Sequence, residues 1–213
     1  MSSLVRPLAI ALLLGTALLG VGAAFHPMLA GDAERQLGTI SATAYWRPLH
    51  LAMLAGSGLV IAGIWVRLVT DQRMAAPLVS VLAVITVGVA INALNIAFMA
   101  GSGTHMAALF ASGQKAMASV FEATHPIGLM AARFGNFIVA LGALALGVIE
   151  SSDPTRPRWL AWLAWLAAAG GFIGVLFFDE SSRLALAAVA LLSAWEVATA
   201  VRALLAAPRE ATR

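Results

Sequence analysis

Six apolar runs of about twenty residues each constrain this chain more than any other feature. They cover residues 7–25, 48–69, 77–99, 126–149, 159–178 and 184–204. A helix rises about 1.5 Å per residue, so each run is long enough to cross the ~30 Å hydrocarbon core of a bilayer. Hydrophobic residues make up 61% of the chain and charged residues only 11%, a composition that soluble domains do not show. We therefore predict an all-α integral membrane protein, a bundle of six transmembrane helices in contact with the lipid bilayer.

The distribution of lysine and arginine predicts the orientation of the bundle. Basic residues in the termini and in the loops of one side number eight: Arg6, Arg67, Arg73, Arg156, Arg158, Arg202, Arg209 and Arg213. Those of the other side number five: Arg35, Arg47, Lys115, Arg133 and Arg183. Because basic loops resist translocation, both termini are predicted to be cytoplasmic, in a multi-pass protein of a bacterial inner membrane. The net charge of +3 then reflects topology, and nucleic-acid binding is not expected.

The order of elements suggests a duplication within a single membrane domain, residues 1–213. Residues 7–69 form one unit, in which a span, a histidine, an amphipathic connection, a histidine and a second span follow one another. Residues 77–149 repeat this order in the same direction, which predicts two parallel helical hairpins related by an axis along the membrane normal. Residues 159–204 form a third helical hairpin.

Both connections on the outer side are predicted to form interfacial helices. The first has Asp32 as its N-cap and places Leu37 and Ile40 on its apolar side. In the second, apolar residues recur every three or four positions over 106–121, with polar residues between them. We expect this second helix to lie within residues 105–125.

Histidine and methionine are concentrated near these outer helix ends, and they form the candidate site. The metal ligands that this pattern predicts are His26, His50, His105, His125, Met28, Met53 and Met106. Imidazole nitrogen binds zinc, copper and haem iron, and methionine sulfur adds a preference for soft Cu(I). The chain contains no cysteine that could serve instead. We therefore predict a metal site on the periplasmic side, with a copper ion favoured.

Helix geometry restricts which histidines can share an ion. One straight helix over residues 105–125 would hold His105 and His125 about 30 Å apart, so the site would have to cross between the two repeats. His50 and His125 both fall in the first turn of a predicted span, and we expect them to face each other across the bundle. His26 is the third candidate ligand.

The same pair of histidines also suits a bis-histidine b-type haem. His50 and His125 would be its ligands, and Arg47 or Arg133 would lie near its propionates. Glycines such as Gly56 and Gly135 would admit the porphyrin face. The chain lacks, however, two histidines about a dozen residues apart on one helix, a spacing common in membrane cytochromes.

A third hypothesis is a non-catalytic accessory or scaffold subunit that packs against membrane protein partners or forms a homo-oligomer, and transport is a fourth. Tryptophans at the inner end of the fifth span suit a lipid or subunit contact: Trp159, Trp162 and Trp165. Thiol redox chemistry has no cysteine to use, and no glycine-rich loop ends in lysine to bind nucleotide. A stand-alone enzyme is therefore not the preferred hypothesis.

Several polar residues fall within the predicted spans. Asn92 and Asn95 share a face of the third span, and we expect them to hydrogen-bond to a neighbouring helix, with Asn136 as a candidate partner. Glu196, in the sixth span, is expected either to pair with Arg202 or to be neutral.

Overall fold

The computed structural model describes residues 2–70, 75–177 and 183–206, and all regular structure in these ranges is helical. The helices are α1 (Ser2–Phe25), α2 (Ala33–Ala42), α3 (Trp46–Gly63), α4 (Val66–Thr70), α5 (Ala75–Phe98), α6 (Thr104–Ala111), α7 (Met117–Ser152), α8 (Arg158–Phe177) and α9 (Arg183–Ala206). A π-helix, Met99–Gly103, joins α5 directly to α6.

The helices have the length and the apolar exterior of a multi-pass membrane protein. Within the described ranges, five stretches are long and apolar enough to cross a membrane: Ser3–Phe25, Trp46–Thr70, Ala76–Ala111, Met117–Ser152 and Arg158–Leu176. The sixth predicted span lies within α9. Leu94, Leu144 and Leu176 are exposed on the surface of the bundle, where a bilayer would solvate them. The predicted all-α membrane bundle is confirmed.

The six long helices form a ring in chain order. α1 packs on α3, α3 on α5, α5 on α7, α7 on α8 and α8 on α9, and α9 closes the ring on α1. In this ring α5 lies between α3 and α7 and packs on both.

Within each of the first two hairpins, a glycine pair lets the two helices approach closely. A Cβ on Gly15 of α1 would lie 2.7 Å from the Gly56 carbonyl oxygen of α3, and a Cβ on Gly88 of α5 would lie 2.8 Å from the Gly135 carbonyl oxygen of α7. Only glycine allows backbones to approach so closely. The duplication of residues 7–69 and 77–149 stays a prediction. Each of its two units contains one such glycine pair.

Buried apolar residues form two clusters along the bundle. The larger lies among the long helices and includes Leu12, Leu82, Leu146 and Trp195. The smaller lies at the end where the histidines are found, here called the histidine end, and joins α2 and α6 to the first turns of α3 and α7. It contains Leu37, Ile40, Trp46, Met99, Met106, Ala107, Phe110 and Phe121.

Two short helices lie at the histidine end as predicted, but the second differs from its predicted extent. The Asp32 side chain caps α2 by accepting a hydrogen bond from the Arg35 N–H at 2.9 Å, and Leu37 and Ile40 are buried. In the other connection α6 ends at Ala111, and the chain turns at Gly113, which has a φ of +101°.

α7 begins nine residues before the predicted start of the fourth span, and Pro126 lies inside this helix. Its 36 residues correspond to about 54 Å, so part of α7 extends beyond a ~30 Å hydrocarbon core. The continuous helical stretch Ala76–Ala111 also has 36 residues. The second hairpin is thus elongated at the histidine end, and this places His105 and His125 on adjacent helices of one hairpin.

At the opposite end a buried ion pair joins the two halves of the ring. Arg67 on α4 donates from Nε to the Oε1 atom of Glu150 on α7 at 3.1 Å, and both side chains are fully buried. Arg156, in the loop before α8, donates to the same carboxylate through Nη2 at 2.8 Å and through Nε. One carboxylate thus binds two guanidinium groups.

Candidate histidine and methionine site

The closest contact between predicted site residues joins His26 to His50. His26 follows the last residue of α1, where Pro27 prevents the helix from continuing, and His50 lies in the second turn of α3. Their Nε2 atoms are 3.1 Å apart, and the two rings meet edge to face with centroids 5.0 Å apart. His50 is buried and His26 is half-buried. The structure thus brings together two predicted ligands from the two helices of the first hairpin.

The hydrogen bond of the His50 Nδ1 atom decides its tautomer. Nδ1 is 2.8 Å from the backbone carbonyl oxygen of Trp46, which can only accept a hydrogen bond. Nδ1 therefore carries the proton, and the Nε2 atom of neutral His50 presents a lone pair to His26.

Trp46 holds both imidazole rings in place. Its ring centroid is 5.0 Å from that of His26 and 4.5 Å from that of His50. The Trp46 indole N–H donates to the Met99 carbonyl oxygen at 3.3 Å, and the Thr104 hydroxyl donates to the same oxygen at 2.9 Å. Met99 begins the π-helix, whose wider turn leaves this carbonyl open to side-chain donors. Sequence reasoning missed Trp46, although its spacing of four residues from His50 places both on one helix face.

The environment of His26 keeps its ring neutral. Burial lowers the pKa of His26 to about 4, the neighbouring His50 acts in the same direction, and a backbone hydrogen bond with Pro27 opposes them. The neutral ring carries one proton, which lies on Nε2 because the His50 Nε2 atom is the acceptor, so binding an ion through this nitrogen requires the proton to move to Nδ1.

Of the three methionines, Met53 packs between α1 and α3, the two helices whose ends carry the histidine pair. It lies three residues after His50 on α3 and packs on Gly22, which precedes His26 by one turn of α1. A Cβ added to Gly22 would lie 2.7 Å from the Met53 sulfur. Met28 is exposed, and Met106 is buried in the apolar cluster of the histidine end, where it packs.

The structure does not pair His50 with His125, the pair that we expected to be the centre of the site. The Nε2 atom of His50 faces His26 instead. His125 stacks on Phe121 of its own helix, with centroids 4.5 Å apart, and on Phe98 of α5 at 6.3 Å. The physical reason is the ring order of the helices, because α5 lies between α3 and α7.

His105 lines a shallow groove in the second hairpin, and His125 follows one of the other lining residues in the sequence. The groove is lined by Phe98, Ser102, His105, Met106, Val120 and Thr124. His105 is exposed, and Thr124 directly precedes His125 in the sequence. The expectation that these histidines lie about 30 Å apart assumed one straight helix, and the turn at Gly113 removes that assumption.

The residues predicted to surround a haem lie on α3 and α7, which α5 separates in the ring. Arg47 is exposed, and Arg133 lies on α7 two turns beyond His125. Gly56 and Gly135 make close backbone contacts with Gly15 and Gly88, so they bring helices together and leave no space for a porphyrin.

Of the two asparagines expected to bond to a neighbouring helix, Asn92 does so, whereas the Asn95 Oδ1 atom is buried without a hydrogen-bond partner among the described residues. The Asn92 side chain on α5 donates to the Asn136 side chain on α7 at 2.8 Å. Glu196 contacts Thr16 of α1 at 2.7 Å rather than Arg202. The buried carboxylate Glu150 was not recognised in the sequence, because nothing in its local pattern shows that it meets Arg67 across 83 positions.

The site combines two imidazoles with one nearby thioether. In the part of the chain that the structure describes, no group of three or more His, Cys, Asp or Glu side chains is arranged to hold a metal ion. Any ion bound here would therefore need a low coordination number or a sulfur ligand.

No known protein family, curated protein or solved structure matches this chain.

Proposed function

We propose that this membrane protein binds one copper ion at its histidine end, with His26 and His50 as nitrogen ligands and Met53 as the sulfur ligand. The observation that carries the proposal is the 3.1 Å separation of the two Nε2 atoms. The three ligands are among the seven that the sequence predicts, but the central pair is His26 and His50 and not the expected His50 and His125.

The arrangement of the histidine pair fits a metal ion. Two nitrogens that each lie ~2.0–2.1 Å from one ion are separated by about 3.3–3.6 Å at tetrahedral or trigonal angles, so the observed pair at 3.1 Å would need to open by only a few tenths of an ångström to admit the ion. The Nδ1 proton of His50 is held by a backbone carbonyl, which is how proteins fix the tautomer of a ligating histidine. His26 is neutral near pH 7, so little proton release is needed for it to bind an ion.

The ligand set favours copper over zinc. Structural zinc prefers four ligands, and only two imidazoles meet here. Cu(I) accepts fewer ligands and prefers soft donors such as the methionine thioether, which Met53 supplies beside Gly22. Bound copper would provide a redox-active or transferable ion at one end of the bundle.

The haem alternative receives less support from the geometry. A porphyrin bound by two histidines must stand between their rings, whereas the rings of His26 and His50 are in direct contact. The scaffold alternative rests on exposed tryptophans such as Trp162, which a lipid interface accounts for equally well.

Copper binding can be tested on the purified, detergent-solubilised protein. We expect Cu(I) titration against a competing chromophoric chelator to give one tightly bound ion per chain. His26→Gln should weaken binding by at least ~100-fold, because it removes a ligand from a loop position without disturbing a helix. Met53→Leu should weaken it by about 10-fold while conserving the volume of the side chain.

His105→Gln is the matched control, because His105 is exposed at the same end of the bundle. It should leave the affinity unchanged. X-ray absorption of the copper-loaded protein should show two nitrogen neighbours and one sulfur neighbour. The proposed ligand set would be overturned if copper binding were unchanged in His26→Gln or lost in His125→Gln. A protein that binds no copper would overturn the function.

A further inference from the structure

A carboxyl group is buried in the middle of the bundle, away from the histidine site. Glu196 of α9 is 4% exposed, and its Oε2 atom lies 2.7 Å from the Thr16 hydroxyl oxygen of α1. Thr16 is nine residues from the last residue of α1, and Glu196 is ten residues from the last residue of α9. At about 1.5 Å per residue, both lie about 15 Å from these helix ends, near the centre of a bilayer.

The two contacts of the Thr16 hydroxyl are compatible with a protonated Glu196. Its hydroxyl oxygen is 2.7 Å from the Glu196 Oε2 atom and 2.8 Å from the backbone carbonyl oxygen of Leu12. A hydroxyl has one proton, and it cannot donate fully to two acceptors. Both contacts become hydrogen bonds when Thr16 donates to Leu12 and Glu196, in its protonated form, donates to Thr16.

No basic side chain neutralises Glu196 in the part of the chain that is described. The helices packed against α9 are α1, α8 and α4, and the described basic residues on these helices and on α9 are Arg6, Arg67, Arg158 and Arg202. Arg67 is bound to Glu150. Arg202 lies six residues further along α9, about 9 Å by helical rise. An ionised carboxylate without a partner is costly in hydrocarbon, whereas a neutral carboxylic acid is tolerated.

A further polar group lies beside this carboxyl group. The Thr199 hydroxyl oxygen, one turn along α9 from Glu196, is buried without a hydrogen-bond partner among the described residues. A second hydroxyl that can donate or accept a hydrogen bond is therefore buried within one turn of Glu196.

We infer that Glu196 and Thr16 form a proton-binding site in the middle of the membrane, with Glu196 as the group that holds the proton and Thr16 as its hydrogen-bond acceptor. The inference is independent of copper binding, because it involves neither the histidines nor Met53.

Infrared spectroscopy of the full-length protein in lipid tests this inference. At pH 7 we expect the carbonyl stretch of a protonated carboxyl group, shifted in D₂O and lost in the variant Glu196→Gln. Thr16→Val keeps the size of the side chain but removes the acceptor, so the band should move to higher frequency. Glu122→Gln is the matched control, because Glu122 is exposed and the loss of an ionised carboxylate should leave this band unchanged.

A second measurement does not depend on any variant. A lipophilic carbodiimide, which reacts with protonated carboxyl groups in apolar surroundings, should label the peptide that contains Glu196 in the unmodified protein. Absence of the infrared band, or its persistence in Glu196→Gln, would overturn the inference. Absence of carbodiimide labelling at Glu196 in the folded protein would also overturn the inference.

Discussion

Three buried ionisable side chains show how single residues of this protein are stabilised inside an apolar bundle. His50 is neutral, and its Nδ1–H group donates a hydrogen bond to a carbonyl oxygen of its own helix. Glu150 is bound by the guanidinium groups of Arg67 and Arg156. Glu196 has a hydroxyl neighbour instead of a cation. Each arrangement follows from the cost of leaving a charge or a hydrogen-bonding group unpartnered away from water.

The Glu150 carboxylate should contribute strongly to stability. In Glu150→Ala the fully buried Arg67 loses its carboxylate partner, so we expect the free energy of unfolding to fall by about 3–5 kcal/mol. Denaturant unfolding in mixed micelles measures this loss. Glu122→Ala, which removes an exposed carboxylate from the same helix, should change stability by no more than about 0.5 kcal/mol. Equal unfolding midpoints for the two variants would contradict the prediction.

At the scale of elements, the two hairpins α1–α3 and α5–α7 pack with the same chemistry but have different lengths. In each hairpin a pair of glycines allows the two backbones to touch. The second hairpin continues further at the histidine end, through the π-helix into α6 and through the early start of α7. The elongation places His105 and His125 along an extended hairpin, whereas His26 and His50 meet directly.

The glycine contact of the second hairpin can be tested by adding one methyl group. In Gly135→Ala the new Cβ would lie 2.6 Å from the Gly88 carbonyl oxygen and from the Asn92 backbone nitrogen, so α5 and α7 must separate. We expect a loss of about 1–3 kcal/mol in the free energy of unfolding, measured in mixed micelles.

Gly58→Ala is the control for this substitution. Gly58 is exposed on α3, and a Cβ there would meet no atom within 4 Å. Because alanine favours the helix over glycine, this variant should be as stable as the parent or more stable by up to about 1 kcal/mol. A Gly135→Ala variant as stable as Gly58→Ala would show that the close contact is unimportant.

At the scale of the whole molecule, the ring of six helices has two chemically different ends. Neutral imidazoles, Trp46 and the apolar cluster occupy the histidine end. Arg67, Glu150 and Arg156 occupy the other. α7 extends from one end to the other, so residues near its two termini report the orientation of the entire bundle.

The predicted orientation can be checked with single cysteines, because the chain has none of its own. Ser112, beside the turn before α7, and Ser151, near the end of α7, are both exposed. In intact spheroplasts a membrane-impermeant maleimide should label Ser112→Cys, whereas Ser151→Cys should react only after lysis. The reverse pattern would place both termini outside and the histidine pair on the cytoplasmic side.

Much of this protein follows from its sequence because lipid leaves few alternatives. Backbone groups in hydrocarbon must be hydrogen-bonded within the segment, so long apolar runs predict helices, and their number and order follow directly. Asp32 as an N-cap and the burial of Leu37 and Ile40 were also predictable, since capping and amphipathic periodicity are local properties.

Only the tertiary structure decided which histidines meet. The order of helices in the ring brings His26 to His50, and the turn at Gly113 separates His105 and His125 into different helices. Trp46, Glu150 and Thr16 gained their roles from residues 53, 83 and 180 positions away. Contacts of this kind depend on how far each helix extends and which neighbour it packs on, and neither property is encoded in the local pattern of apolar residues.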